Sequence, residues 1–251
     1  MKRRRRSLWL VCAVAISLVI LFSGLTVAAA PDSRGPCVIA TPRYEKITLV
    51  HYAKGGIPGR PVKPLEDEPD KDLETYALLG VMWDMSKFNT GIPYVIDLDG
   101  APDNALAEII AAYEAWDDTT SVELFNDSPT LDNSAEPSTN VPDFINTVSW
   151  RRVVPPKAIA VTFIWSNTVT NEIVDCDVIL NTKHDWGIGA INAFDVRNIT
   201  THEVGHVVGL ADLYNDVYSE LTMYGYGAEG ETKKSSLENG DILGCQFLYG
   251  L

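Results

Sequence analysis

Apolar positions along the chain change period several times, and each change predicts an element. Over residues 103–117, Leu106, Ile109, Ile110, Tyr113 and Trp116 recur at helical spacing, which predicts an amphipathic helix. Apolar and β-branched runs predict strands at 46–52, 92–98, 148–153, 158–165 and 173–180, with a short extended piece at 122–125. Residues 126–147, rich in Asn, Asp, Ser, Pro and Thr, read as a long loop. A second helix is expected from near Asp195 to Gly209. A third is expected from about Ser236 to Tyr249, with Ser235 to Glu238 as its capping box and Gly250 suited to its end. Strands grouped between one early helix and two late ones predict an α+β domain built on a mixed sheet.

The chain opens differently. Lys2 to Arg6 form a basic cluster, an apolar run extends from Leu8 to about Phe22, and small residues lead to Ala30. That order describes a secretory signal peptide over 1–30. The apolar stretch is also long enough for a retained membrane anchor, and in either case the rest of the chain lies outside the cytosol. Residues 31–75 read as a propeptide-like or spacer segment, with a Gly/Pro breaker cluster at 55–61, a charge run at 66–72 and one strand, 46–52. The main domain is expected over 76–251.

The formal charge is −14, and −19 without the five basic residues of the leader. So acidic a chain is unsuited to nucleic acid or to anionic lipid, and contact with a membrane is expected only if the leader is retained. Beyond Cys12 in the leader only Cys37, Cys176 and Cys245 remain, so one intramolecular disulfide is the maximum and no Cys-x-x-Cys is present to ligate zinc.

The densest chemistry lies at 202–212, His202-Glu203-Val204-Gly205-His206-Val207-Val208-Gly209-Leu210-Ala211-Asp212. Histidines four apart share one helix face and can converge on one metal ion, with Glu203 placed beside it to handle a proton. Gly209 offers a place to stop the helix, so that Asp212 can return as a third ligand. Glu220 and Asp216 are the rivals for that role. Catalytic zinc with three protein ligands keeps a position for water, acidifies it and polarises a carbonyl, while Glu203 accepts the proton and passes it to the leaving amine. This is the pattern of a zinc hydrolase. Met223 and Tyr224 either fill a core gap or form a tight turn that floors the metal site.

His-Glu-x-x-His-x-x-Gly-x-x-Asp followed by Met223-Tyr224 resembles the metzincin clan of metallopeptidases, and residues 240–250 resemble the closing helix of matrixins in particular. Residues 92–96 are similar to their opening strand, 107–116 to their first helix, and 176–181 to the edge strand along which substrate is laid out. The likeness spans roughly 76–251. It implies a metzincin (zincin-like) fold, a twisted mixed five-stranded sheet with about three helices and one catalytic Zn2+ in a cleft. It also implies a secreted, monomeric endopeptidase that binds protein or peptide by strand addition. Asp212 as third ligand is a departure, snapalysin-like in that respect. Gly225 and Tyr226 replace the Pro-x-Tyr pattern that shapes the specificity pocket, so cleavage preference does not transfer. The family's second, structural zinc needs more histidines than His51 and His184 supply, and its absence is expected, with His184 a surface loop residue. Arg34 to Cys37 carry the letters of the latency segment in the wrong order. Ca2+ is conceivable, but Asp97, Asp99 and Asp103 fit no twelve-residue calcium loop.

Two other functions stand beside the endopeptidase. One is a non-catalytic binding module on the same scaffold, and the other is a different zinc hydrolase, an aminopeptidase or an amidase.

Overall fold

A computed structural model describes residues 43–55, 75–155 and 157–251. The leader, Cys37 and the charge run at 66–72 lie outside the described residues. The strands are β1 (Tyr44–Ala53), β2 (Val95–Ile96), β3 (Thr130–Leu131), β4 (Thr147–Arg151), β5 (Ala158–Asn167), β6 (Glu172–Asn181), β7 (Trp186–Gly187), β8 (Phe194–Asp195) and β9 (Tyr226–Gly227). The helices are α1 (Ala105–Asp117), α2 (Val196–Val207) and α3 (Asn239–Tyr249). The fold is α+β, as the patterning predicts.

The main sheet runs β3-β2-β4-β6-β5-β1-β9, with β7 and β8 as a separate pair. Strands β2, β4, β6 and β5 answer to expected ones, β3 falls within the segment expected to be a loop, and β1 and β9 extend the sheet to seven. Strands β3, β2, β4 and β6 are mutually parallel, and β5 is antiparallel to β6. Strand β1 pairs antiparallel with β5 over nearly its whole length and parallel with β9 at its end. The sheet therefore takes a strand from residues 31–75 and does not start at residue 76.

One correction concerns the strand expected at the sheet edge. Residues 176–181 lie in β6, between β4 and β5, and are buried throughout. Both of its backbone edges are already paired, so no peptide can add there. The strand on the outer side of that pair is β5.

Helix α2 is buried at every position except Arg197, which is why its pattern is not simply amphipathic. Asp195 caps it by accepting from the Asn198 amide at 2.8 Å. Helix α1 packs beside it and buries Ile109, Ala112, Tyr113 and Trp116, and the Trp116 indole donates to the Thr201 carbonyl at 2.9 Å. Tyr94 and Tyr113 stack with ring centroids 4.0 Å apart, tying α1 to the strand that precedes it.

The third helix starts later than its sequence suggests. It begins at Asn239, and the capping box joins Glu238 to Asp241 in place of the Ser235–Glu238 box. The Asp241 carboxylate also accepts from the Thr222 and Met223 amides, and that tertiary contact fixes the register. Cys176 and Cys245 are both buried and free, and burial raises both thiols.

Candidate metal centre

The local sequence builds the site in three steps. First, α2 places His202 and His206 one turn apart on one face. Next, the chain stops. Gly209 takes φ +108°, and a Cβ there would lie 2.6 Å from the Val81 carbonyl oxygen, so only glycine permits the reversal. The reversal then carries Asp212 back to the histidines. The Asp212 Oδ1 atom lies 3.1 Å from His202 Nε2 and 3.5 Å from His206 Nε2.

Each histidine is fixed from behind. His202 Nδ1 is 2.7 Å from the Thr222 carbonyl and His206 Nδ1 is 2.8 Å from the Leu210 carbonyl. A carbonyl can only accept, so both Nδ1 atoms carry a proton, and each imidazole when neutral presents its Nε2 lone pair. His202 Nε2 and Asp212 Oδ1 are thus two buried acceptors that face each other with no hydrogen-bond donor between them. Such a pair is costly unless a cation joins it. The ligand atoms of His202, His206 and Asp212 all lie within 4.8 Å of one another, so the donor set fits a zinc ion.

Electrostatics agree. Burial lowers His202 to about 4, although Asp212 opposes the shift. Burial acts in the same direction on His206, but there the Asp212 carboxylate prevails and raises it. Burial would raise Asp212, yet the two imidazoles hold it well below the usual carboxylate range. Burial pushes Glu203 up to about 7.

Structure also separates the rival ligands. Glu220 is exposed and paired with Lys233 at 2.8 Å, while Asp216 accepts from the Tyr224 hydroxyl. Neither joins the cluster.

Under the site, Met223 and Gly205 interlock. A Cβ on Gly205 would fall 2.1 Å from the Met223 sulfur and 2.8 Å from the Trp116 ring. The turn carrying Met223 is clamped by Asp241, whose two carboxylate oxygens accept from the Thr222 and Met223 amides at 2.9 and 3.0 Å. Tyr224 points its hydroxyl away, to Asp216, and serves the turn and not the ligands.

Four residues of this site carry no signal in the motif itself. Tyr214 donates to Asp212 Oδ2 at 2.8 Å, and Gly225 makes room for its ring, since a Cβ there would lie 2.5 Å from it. That contact accounts for a glycine where matrixins favour another pattern. Lys234 is fully buried and donates to the Tyr224 and Tyr226 carbonyls, both at 2.6 Å, and burial lowers it to about 8. Thr162 on β5 donates to Glu203 Oε2 at 2.6 Å.

The fourth is His51, on β1. Its Nδ1 lies 3.1 Å from Glu203 Oε1, and its ring lies 3.9 Å from that of His202, centroid to centroid. A histidine alternating with Leu49 in a strand was the available signal. His184 is half-buried, bonded through Nε2 to the Ala158 carbonyl at 3.0 Å, and stands apart from the metal cluster.

Residues 159–250 match the family model described as Matrixin. Over that span the chain is matrixin-like. The matched span starts in β5 and contains α2, the Met223 turn and α3; β1 and α1 precede it. A match of this kind supports a zinc metallopeptidase in general, with protein or peptide as substrate. No curated protein matches the chain.

Proposed function

We propose that this matrixin-like domain is a zinc endopeptidase in which His202, His206 and Asp212 hold the ion and Glu203 is the catalytic base. The observation that carries the reading is the pair of buried lone pairs on His202 Nε2 and Asp212 Oδ1 with no donor between them. A bound zinc supplies Lewis-acid chemistry, acidifying water and polarising the scissile carbonyl.

The chain's own residues do the rest. Glu203 is adjacent to the first ligand in sequence and reaches the far side of the pocket, where Thr162 holds one carboxylate oxygen. Its Oε1, which His51 Nδ1 meets at 3.1 Å, is the oxygen that would accept a proton from the attacking water and then deliver it to the departing amine nitrogen. A carboxylate raised to about 7 by burial suits both directions of that transfer. Tyr214 orients Asp212, and the Thr222 and Leu210 carbonyls fix both imidazoles. Substrate would lie extended beside β5, on the backbone edge that β1 pairs in this structure.

The test is Glu203→Ala. The parent should contain one zinc per chain and cleave unfolded protein internally, while the variant keeps the zinc and loses cleavage by roughly two to four orders of magnitude. A variant that cleaves as well as the parent sinks the mechanism. Cleavage confined to chain ends would favour the aminopeptidase reading. Export belongs to the same proposal, supported by the basic and apolar order of the leader. Mass spectrometry of the mature N-terminus checks it, and intact residues 1–30 on a membrane-bound protein would point to the anchor.

A further inference from the structure

Lys234 is the one lysine or arginine fully buried among the described residues. Its ammonium donates to two backbone carbonyls, those of Tyr224 and Tyr226, both at 2.6 Å, and forms no ion pair with a carboxylate among the described residues. Burial lowers it to about 8, with Glu231 and then Asp212 opposing the shift, so at neutral pH it is still mainly a cation. A charge buried without a counter-ion is costly. Methionine, of similar length, would fill the same volume without that cost. Packing therefore does not explain a lysine here, and what distinguishes it is the pair of carbonyls it holds.

Those carbonyls bracket Gly225. The Tyr214 ring rests on that glycine, where a Cβ would lie 2.5 Å from it, and meets the Tyr226 ring edge-on with centroids 5.5 Å apart. Two backbone bonds tie the same segments together: the Leu213 amide donates to the Met223 carbonyl at 2.8 Å, and the Gly225 amide to the Leu213 carbonyl at 2.9 Å. From that bed the Tyr214 hydroxyl reaches Asp212 Oδ2 at 2.8 Å. The backbone of Lys234 is anchored elsewhere. Its amide donates at 2.8 Å to Asn198 Oδ1, on α2 one turn before His202. A single residue thus runs from the helix that carries both histidines to the segment that supports the partner of Asp212.

We propose that Lys234 is a positioning residue for the metal centre: by clamping the Tyr224 and Tyr226 carbonyls around the glycine on which Tyr214 rests, it fixes the third ligand relative to the two histidines. This role rests on the zinc reading of His202, His206 and Asp212. Lys234 is bonded to none of those three and not to Glu203, so it acts through Tyr214 and not on reacting atoms. The physical basis is preorganisation. A carboxylate already held in its binding orientation gives up less freedom when a metal arrives, and groups standing behind the ligands are typically worth 10- to 100-fold in metal affinity.

The experiment measures zinc affinity, by competition with a chromophoric chelator, for the full chain and for Lys234→Met, Tyr214→Phe and the double variant. Lys234→Met should bind zinc roughly 10- to 100-fold more weakly than the parent. Both residues act through one contact, so the double variant should lose no more than Lys234→Met alone, instead of the product of the two losses. Lys234→Gln, which keeps an N–H donor on a shorter chain, should lose less. Urea unfolding of the metal-free proteins tests for a purely structural role. A Lys234→Met protein that is less stable yet binds zinc as the parent does would overturn the proposal. So would losses that multiply in the double variant, or Met and Gln variants that both fail to fold, because Lys234 then serves the fold alone. Zinc uptake is read without substrate, which separates the two readings. Coupled zinc losses in a protein that hydrolyses nothing would sink the peptidase reading and leave the role of Lys234 standing. A parent that cleaves peptide beside a Lys234→Met variant with undiminished zinc affinity would do the reverse.

Discussion

Gly205 and Met223 share one volume: the methionine sulfur sits 2.1 Å from where any side chain at Gly205 would begin. The glycine inside α2 is thus there for the turn beneath it. Gly205→Ala should destabilise the domain by about 1–3 kcal/mol through overpacking, against the usual gain of an alanine in a helix. Urea unfolding of the zinc-loaded protein reads the sign; a more stable variant would mean the floor is not seated there.

Asp212 and its neighbour give a graded pair of variants. Asp212→Ala should abolish stoichiometric zinc, because two imidazoles remain with no third donor. Tyr214→Phe removes only the hydroxyl that orients Asp212 Oδ2, and should weaken zinc by roughly 10- to 100-fold. Competition with a chromophoric chelator measures both. Full zinc retention by Asp212→Ala would return Glu220 or Asp216 to consideration.

Asp241 should behave as part of the site despite lying on another helix. Asp241→Ala leaves the Thr222 and Met223 amides without acceptors, costing roughly 1–3 kcal/mol per buried donor. Asp241→Asn keeps one acceptor oxygen and should lose less. Thermal melts of the two variants check the order.

Asp117 gives the fold a pH dependence. Burial raises its carboxyl to about 7, although the Leu124 and Phe125 amides oppose the shift. A carboxyl whose folded pKa exceeds its unfolded value stabilises the fold at low pH, and that contribution is lost as pH rises from about 4 through about 7. Asp117→Asn should therefore melt with a weaker decline than the parent between pH 4 and 8. Parallel melting curves for the two proteins would remove Asp117 from the account.

Helix α2 was legible because every signal for it is local: Asp195 as cap, histidines one turn apart, Gly209 as the stop. The three long strands at 147–181 were legible in the same way, as runs of apolar residues bounded by turn formers. Order within the sheet was not. A buried run such as 176–181 says that a strand has both faces covered, but not which strands lie at its edges, and that is where the edge assignment failed. The strand pattern marks His51 as inward-facing but does not name its partner, because Glu203 is 152 residues away. The helix start was misplaced because Ser235–Glu238 and Glu238–Asp241 carry the same cap spacing. The choice between them is made by a tertiary contact, the clamp of Asp241 on the Met223 turn.

That clamp has a consequence for biosynthesis. The residues proposed as ligands and base are all translated by Asp212, but the carboxylate that secures the floor beneath them comes 29 residues later, and the Tyr249 hydroxyl that closes on Val208 comes later still. A nascent chain can emerge with its whole zinc motif and still lack the part that sets it. Completion of the candidate centre is thereby tied to completion of the domain, because the turn beneath it is secured only once Asp241 has been made.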